Sequence, residues 1–407
     1  MREQVERILP YVQKPARYTG NEWNAVKKEW QDSTVKMVFA FPDVYEVGMS
    51  YLGLQILYHI VNNRRDSLME RVFAPWVDME EKMRERDIPL FSMESFRPIS
   101  DFDIVAFTLQ YELSYTNILN MLDLSGITLN SAERDETEPL VIAGGPCVYN
   151  PEPLADFIDL FVIGEGEEVI HELIDVLKIK KEKKLTRHKF LRKAAAIQGI
   201  YVPSFYEPRY DDRGYFQQLS ALLPEARPKI AKRVVQNIDT VDFPTHPIVP
   251  WMEVIHDRVM LEVMRGCTRG CRFCQAGVLY RPAREKKPET LMRQAEQIVR
   301  TTGHNEISLT SLSSADYTAI QEVIKGLLNA HEASGIGVSL PSLRVDAFSV
   351  DLAKEVQRVR RSSLTFAPEA GTQRMRNVIN KGVTEEDLME TVTSAFQAGW
   401  NAIKLYF

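Results

Sequence analysis

The sequence predicts an α/β protein: a doubly wound parallel sheet in its first half, then a partial βα barrel that is incomplete at the C-terminus. Three observations carry this prediction. Short apolar and β-branched bursts alternate with helix-length segments from residue 35 to about 177, the pattern of parallel strands joined by crossover helices. The alternation resumes beyond about residue 250 with the strand–helix period of a barrel. Between the two lies a basic and then proline-rich stretch of different texture.

Taken in order, residues 1–33 read as a polar, helical lead-in with two tryptophans. "VKMVFAF" (35–41) is a β-branched and aromatic run closed by a Pro-Asp turn, hence a buried strand. A helical pattern follows in "YLGLQILYHIVNN". Further strands are expected at "RVFAPWV", "FDIVAFTL", "PLVIAGGP" and "IDLFVIGEGEE". Ligands of such a sheet bind outside the carboxyl ends of its strands, where the turns "FPDVYEVG", "AGGPCVYNPEP" and "GEGEE" fall. This delimits a sheet domain over 34–177. Residues 178–249 follow as a basic helix and bridging region. The run 178–193 carries nine Lys or Arg against one Glu, suited either to a solvated helix or to a patch for RNA or another anionic partner.

From 250 to 407 the expected order is strand "VMLEVM", helix 288–301, strand "EISLTSL", helix 315–333, strand "GVSLPSLRV", helix 349–359, strand "SSLTFAPE" and helix 384–398. A last strand opens in "NAIKLYF". An apolar strand at the final residues would leave an open sheet edge, so the chain reads as truncated within the barrel.

Composition excludes several classes of protein. With 407 residues, 44% of them hydrophobic, 26% charged and a net charge of −6, the chain can bury a large core and has no global nucleic-acid footprint. It is charged from its second residue, unlike a secretory signal. No apolar run approaches the ~18 residues that span a bilayer. The expectation is a soluble, cytoplasmic protein with no membrane partner.

Three of the four cysteines, Cys267, Cys271 and Cys274, fall in "MRGCTRGCRFCQAG" with the spacing C-x3-C-x2-C. Structural zinc takes four ligands, usually from two pairs, and no second pair or fitting histidine pattern accompanies these. A disulfide would leave one thiol over and suits an oxidising compartment. Ferredoxin-type clusters take four thiolates. Three thiolates on a four-iron cluster leave one iron open, which makes a cluster catalytic, and the loop follows the first barrel strand, at the face where barrels keep their active sites. Gly266, Gly270 and Gly277 allow close wrapping of backbone, and Arg265, Arg269 and Arg272 either offset the cluster's charge or are solvated. Cys147, in "GGPCV", is a small loop residue or a cluster or substrate contact.

"GCTRGCRFCQAG" resembles the cluster motif of the radical S-adenosylmethionine (radical SAM) enzymes. The resemblance implies a [4Fe-4S] cluster on Cys267, Cys271 and Cys274, with SAM chelated at the fourth iron and cleaved reductively to a 5′-deoxyadenosyl radical. It implies that Phe273 packs beside the adenine and that an electron donor such as flavodoxin or ferredoxin is needed. By the same resemblance Ser311 and Ser313 are candidates for the methionine amino group, Arg344 for an approach to SAM, and Glu369 for the ribose. Residues 250–407 would supply roughly the first five of the family's six barrel strands.

Long stretches elsewhere, among them "FPDVYEVGMSYLGLQILY" and "IAGGPCVYNPEPLADFIDLFVIGEGEE", resemble a branch of this superfamily with an N-terminal cobalamin-binding-like Rossmann domain. Many cobalamin domains carry Asp-x-His-x-x-Gly, whose imidazole ligates cobalt. Here Asp43 and Gly48 keep their places and Tyr45 replaces the histidine, a poor cobalt ligand with its phenol pKa of about 10. Either cobalamin binds without a protein ligand on cobalt, or the domain only frames the substrate. Gly144, Gly145, Gly164 and Gly166 would contact a bound cobalamin or simply make tight turns. The branch implies methyl transfer or rearrangement assisted by cobalamin. Two alternatives stand beside it: a radical SAM modifier of RNA or a ribosomal component, and a non-catalytic metal-binding module that contacts nucleic acid through 178–193.

Overall fold

The computed structural model describes residues 1–339 and 364–407. The expected helix 349–359 and parts of the flanking strands lie outside them. The chain forms two compact units, unit 1 from Met1–Val235 with Asp242–His256, and unit 2 from Gln236–Val241 with Asp257–Phe407.

Unit 1 is built on a six-stranded sheet: β1 (Val35–Phe41), β2 (Ser67–Phe73), β3 (Ile104–Thr108), β4 (Leu140–Gly144), β5 (Leu160–Val162) and β6 (Ile200–Tyr201). The order is β2-β1-β3-β4-β5-β6. The first five strands are parallel, and β6 pairs antiparallel with β5. From β1 the chain first moves outward to β2 and then returns to the other side of β1 for β3. The topology therefore switches direction between β1 and β3, and the crevice outside their carboxyl ends is where such sheets take ligands. Both faces are covered, so these strands are apolar almost throughout; Val38, Val105, Val141 and Phe161 are wholly buried.

Several boundaries differ from the sequence reading, each for a local reason. In the lead-in only Arg2–Ile8 is α-helical, because Pro10 and Pro15 turn the chain into short 3-10 segments. The strand expected at "RVFAPWV" ends at Phe73, and Val77 already opens the next helix. Helix Gly166–Lys183 runs unbroken across residue 178, and an exposed hairpin, Tyr206–Tyr210 with Phe216–Ala221, occupies part of the bridging stretch.

In unit 2, Val259–Glu262, Glu306–Thr310 and Gly337–Ser339 form a parallel three-stranded sheet, and Leu364–Phe366 pairs in parallel with Ile403–Leu405. Helices Pro288–Thr302, Ile320–His331 and Glu385–Gln397 alternate with these strands, as in a partial βα barrel. The last helix starts on a capping box between Thr384 and Asp387. The strand "VMLEVM" splits: beyond Glu262 the chain leaves the sheet, and Met264–Arg265 pairs antiparallel with Arg284–Glu285. The helix expected from 315 begins only at Ile320, because Ser314–Asp316 make a 3-10 turn and the buried Tyr317 donates its hydroxyl to Lys286 O at 2.7 Å. Among the described residues no helix is long and apolar enough to cross a membrane.

Candidate functional site

The cysteine loop leaves the carboxyl end of the first strand of unit 2. Gly266 makes the turn possible: its φ is +89°, and a Cβ there would lie 2.5 Å from Tyr280 O. Cys267, Cys271 and Cys274 follow as free, half-buried thiols. The Arg269 amide points at Cys267 Sγ (3.4 Å), and the Cys274 amide donates to Cys271 O (3.1 Å). Among the described residues no three Cys, His, Asp or Glu side chains converge on a point that would hold one metal ion. The donor set is three thiols on one short loop, each able to bind its own iron, and this chemistry fits an iron–sulfur cluster. Cys147 belongs to unit 1, where burial and the nearby Glu112 carboxylate push its thiol up to about 11; it stays protonated and makes a poor ligand.

Two neighbouring segments of unit 2 hold the loop. On one side Arg269 forks around Asp316, with Nε–Oδ2 at 3.0 Å and Nη2–Oδ1 at 2.5 Å. On the other, Arg272 donates its amide to Ile379 O (2.9 Å) and its guanidinium to Val378 O, while Asn380 Nδ2 donates to Gly270 O (2.8 Å). The next residue, Lys381, is buried, pairs with Glu369 at 3.1 Å and lies 5.9 Å from the centre of the Phe273 ring. Glu369 itself sits at φ +67°, a conformation a non-glycine residue adopts only when its surroundings impose it. Phe273 is 54% exposed, an open ring face beside an ion pair.

Of the sequence-predicted SAM residues, the structure thus brings Phe273 and Glu369 into one neighbourhood, through Lys381. Ser311 and Ser313 lie on the turn after the second strand, where Ser313 Oγ donates to Asp316 (2.7 Å) and Ser311 Oγ bonds Ser314 Oγ (2.9 Å). Arg344 lies outside the described residues. Sequence reasoning missed Asp316, Asn380 and Lys381. Ser313-x-x-Asp316 was a legible turn signal, whereas nothing local marks Lys381, twelve residues beyond its partner.

In unit 1 a pocket of about 210 Å³ opens at the β1/β3 switch point, lined in part by Asp43, Ser50, Thr108, Gln110, Tyr111 and His256. It is smaller than the roughly 300–1,000 Å³ that engulfs a drug-sized ligand, with room for no more than a portion of a larger one. Asp43 is the sole residue of the expected cobalamin set among its lining. Tyr45 is turned away and 2% exposed: its hydroxyl donates to Glu22 Oε1 at 2.9 Å, and its ring packs edge-on against Phe73. Burial and the Glu22 charge hold the phenol far above its usual range. Glu22 is in turn bound by the wholly buried Arg71, which also pairs with Glu94. A cobalt ligand at position 45 does not fit this arrangement. Gly48 packs on Phe73 and Phe41, and Gly145 and Gly164 press against the backbones of Leu109 and Arg233. Gly144 ends β4, and Gly166 starts the helix that follows β5.

The basic run 178–193 is largely committed within unit 1. Lys178 pairs with Asp66, Lys180 with Glu136, Lys181 with Asp103, Arg187 with the buried Asp159, and Arg192 with Glu225. Five of its nine cations are thereby offset by acidic partners of the same unit.

Comparison with known proteins bears on these sites. Residues 53–203 match the family model described as radical SAM proteins, N-terminal, and residues 261–406 match the radical SAM superfamily. An uncharacterized protein of Methanocaldococcus jannaschii is 26% identical over 370 residues, covering 90% of this chain and 68% of that protein. An uncharacterized methyltransferase of Pyrococcus horikoshii is 23% identical over 273 residues, covering 65% and 52%. Among solved structures, the cobalamin-dependent SAM radical enzyme OxsB, with aqua-cobalamin and SAM bound, superposes with a TM-score of 0.58 at 15% identity, covering 91% of this chain and 48% of that one. The radical SAM methyltransferase TsrM of Kitasatospora setae, with cobalamin and a [4Fe-4S] cluster bound, gives 0.57 at 13% identity, covering 92% and 68%. This chain spans about two-thirds of the Methanocaldococcus protein and about half of the Pyrococcus protein and OxsB. With both units matched by radical SAM models and the three thiols on the barrel's first loop, the chain belongs to the radical SAM superfamily of enzymes.

Proposed function

We propose that the chain cleaves SAM reductively to a 5′-deoxyadenosyl radical, and that cobalamin at the β1/β3 edge of unit 1 assists a methyl transfer or rearrangement. The observation that carries this reading is the Gly266–Gly277 loop, with three free thiols and anchorage on two other segments of the unit. When bound, the [4Fe-4S] cluster supplies one electron to SAM at its open iron, and cobalamin supplies a carrier for the transferred group.

The chain's own residues do the holding and orienting. Cys267, Cys271 and Cys274 bind the cluster as thiolates. Phe273 offers its exposed face to adenine, and Glu369, fixed by Lys381, accepts from the ribose hydroxyls. Ser311 and Ser313 are the candidates for the methionine ammonium, and Arg344 for an approach to SAM. In unit 1, Asp43 would border the cobalamin, and Tyr45 would not serve as a ligand, since its phenol is engaged by Glu22. The setting is cytoplasmic, with a one-electron donor of the flavodoxin or ferredoxin kind.

Anaerobic reconstitution with iron and sulfide tests the reading. Roughly four irons per chain should bind, and SAM should perturb the EPR signal of the reduced cluster. Alanine at Cys267, Cys271 or Cys274 should abolish the signal, and Cys147→Ala should leave it intact. A chain that holds one zinc tightly and ignores SAM would overturn it.

A further inference from the structure

Asp316 carries no role in the proposed function, yet three bonds from described residues converge on its half-buried carboxylate. Arg269 Nε and Nη2 engage Oδ2 and Oδ1, and Ser313 Oγ donates to Oδ2 at 2.7 Å. Its own amide donates to Ser313 O at 3.0 Å. The turn is thus braced before it meets Arg269, and the carboxylate side chain is only 12% exposed. Arg269 sits between Cys267 and Cys271, and its amide points at Cys267 Sγ.

We infer that Asp316 is a positioning residue that sets the electrostatics of the cysteine loop by holding and neutralising Arg269. The inference rests on the cluster assignment proposed above. A fork–fork pair fixes both the direction and the charge of a guanidinium. Held this way, Arg269 keeps its amide on the Cys267 sulfur and adds no net charge next to the thiolates. Hydrogen bonds to sulfur and local net charge are the protein's main controls over the potential of an iron–sulfur cluster. Loss of the Asp316 charge leaves a cation beside the cluster and favours the reduced, more negative form. Loss of the Arg269 charge leaves a carboxylate there and favours the oxidised form.

The test is potentiometry followed by EPR on reconstituted full chains, each checked first for iron content. Asp316→Asn should raise the reduced-to-oxidised ratio at a fixed potential about tenfold, as expected for one unit charge near 10 Å in a medium of intermediate dielectric, a shift of ~59 mV for a one-electron couple. Arg269→Gln should lower the ratio by a similar factor. The double variant should return close to the wild-type value, which a merely structural lesion would not do. Asp316→Glu should retain most of the wild-type behaviour. If Asp316→Asn loads no iron while the double variant does, charge compensation is supported directly. Single variants at the wild-type potential, or shifts of the same sign in both, overturn the inference while leaving the cluster assignment standing. A wild-type chain that binds no iron defeats the assignment itself.

Discussion

Two turns in this protein leave the carboxyl end of the first strand of a parallel array, and they differ in what they do with their side chains. In unit 1, residues 43–48 follow β1, and Tyr45 and Glu46 turn inward. Tyr45 joins the Glu22–Arg71–Glu94 network, and Glu46 is clamped by Arg17 and Lys14. In unit 2, residues 266–277 follow Val259–Glu262, and their thiols and Phe273 stay accessible while arginine heads and backbone groups make the ties. The contrast comes from the neighbours. The lead-in lays Arg17 and Glu22 over the first turn, so a polar side chain there finds a buried partner. The second turn is held at its edges, and its sulfurs keep their lone pairs. A strand end supplies the opportunity for a site; the adjoining segments decide whether a side chain becomes a strut or a ligand.

That comparison predicts where mutations act. The largest effect falls on unit 1: Arg71→Ala leaves Glu22 and Glu94 buried without their cation, a loss of about 3–5 kcal/mol. It should appear as a lower urea midpoint of the full chain. Arg272→Ala removes one exposed hydrogen bond from the guanidinium to Val378 O and should cost under about 1 kcal/mol. Equal losses in the two variants would break the comparison.

The same network gives unit 1 a pH dependence. Burial, reinforced by the charges of Glu70 and Glu22 and opposed by Arg71, pushes the Glu94 carboxyl up to about 7 from an ordinary value of 4.5. A carboxyl that holds its proton more tightly when folded stabilises the fold in its protonated form. That contribution is complete below about 4.5 and lost as pH rises through about 7, amounting to about 3 kcal/mol. Glu46 has the opposite sign: the Arg17 and Lys14 bonds outweigh burial and hold it down at about 2. Its contribution is present above about 4.5 and is lost as pH falls through about 2. Melting curves between pH 5 and 8 should show wild type losing stability that Glu94→Gln does not lose. Parallel curves would remove Glu94 from the account.

Much of this was legible in the sequence because it is local. "VKMVFAF" and "PLVIAGGP" announce buried strands by composition, and the cysteine triplet announces its chemistry by spacing. The antiparallel β6 and the Met264–Arg265 ladder are two residues long, too short for any periodicity. The orientation of Tyr45 was illegible for another reason. It depends on Glu22, 23 residues earlier, and on an Arg71–Glu22 bond across 49 residues. The pattern Asp43-x-Tyr45-x-x-Gly48 preserves the geometry of a turn, yet says nothing of the ion pair beneath it. The basic run 178–193 left two readings open for the same reason, since its partners Asp66, Asp103 and Asp159 stand just before strands distant in the sequence.

A loss smaller than that of Arg71→Ala gives the sharpest test of strut against ligand. Tyr45→Phe keeps the ring against Phe73 and removes only the hydrogen bond to Glu22, whose Oε1 still receives Arg71 Nη1 at 3.0 Å. A hydrogen bond to a charged acceptor contributes about 1.5–3 kcal/mol; with Arg71 retained, the loss should sit at the low end, about 1–2 kcal/mol. Optical titration with hydroxocobalamin should give the same spectrum for wild type and Tyr45→Phe, because the phenol faces Glu22 and not the pocket. Tyr45→His should leave the cobalt spectrum equally unchanged, since an imidazole on this backbone starts toward the same buried carboxylate. A cobalt spectrum that changes on either substitution would place residue 45 at the pocket and make the two turns alike.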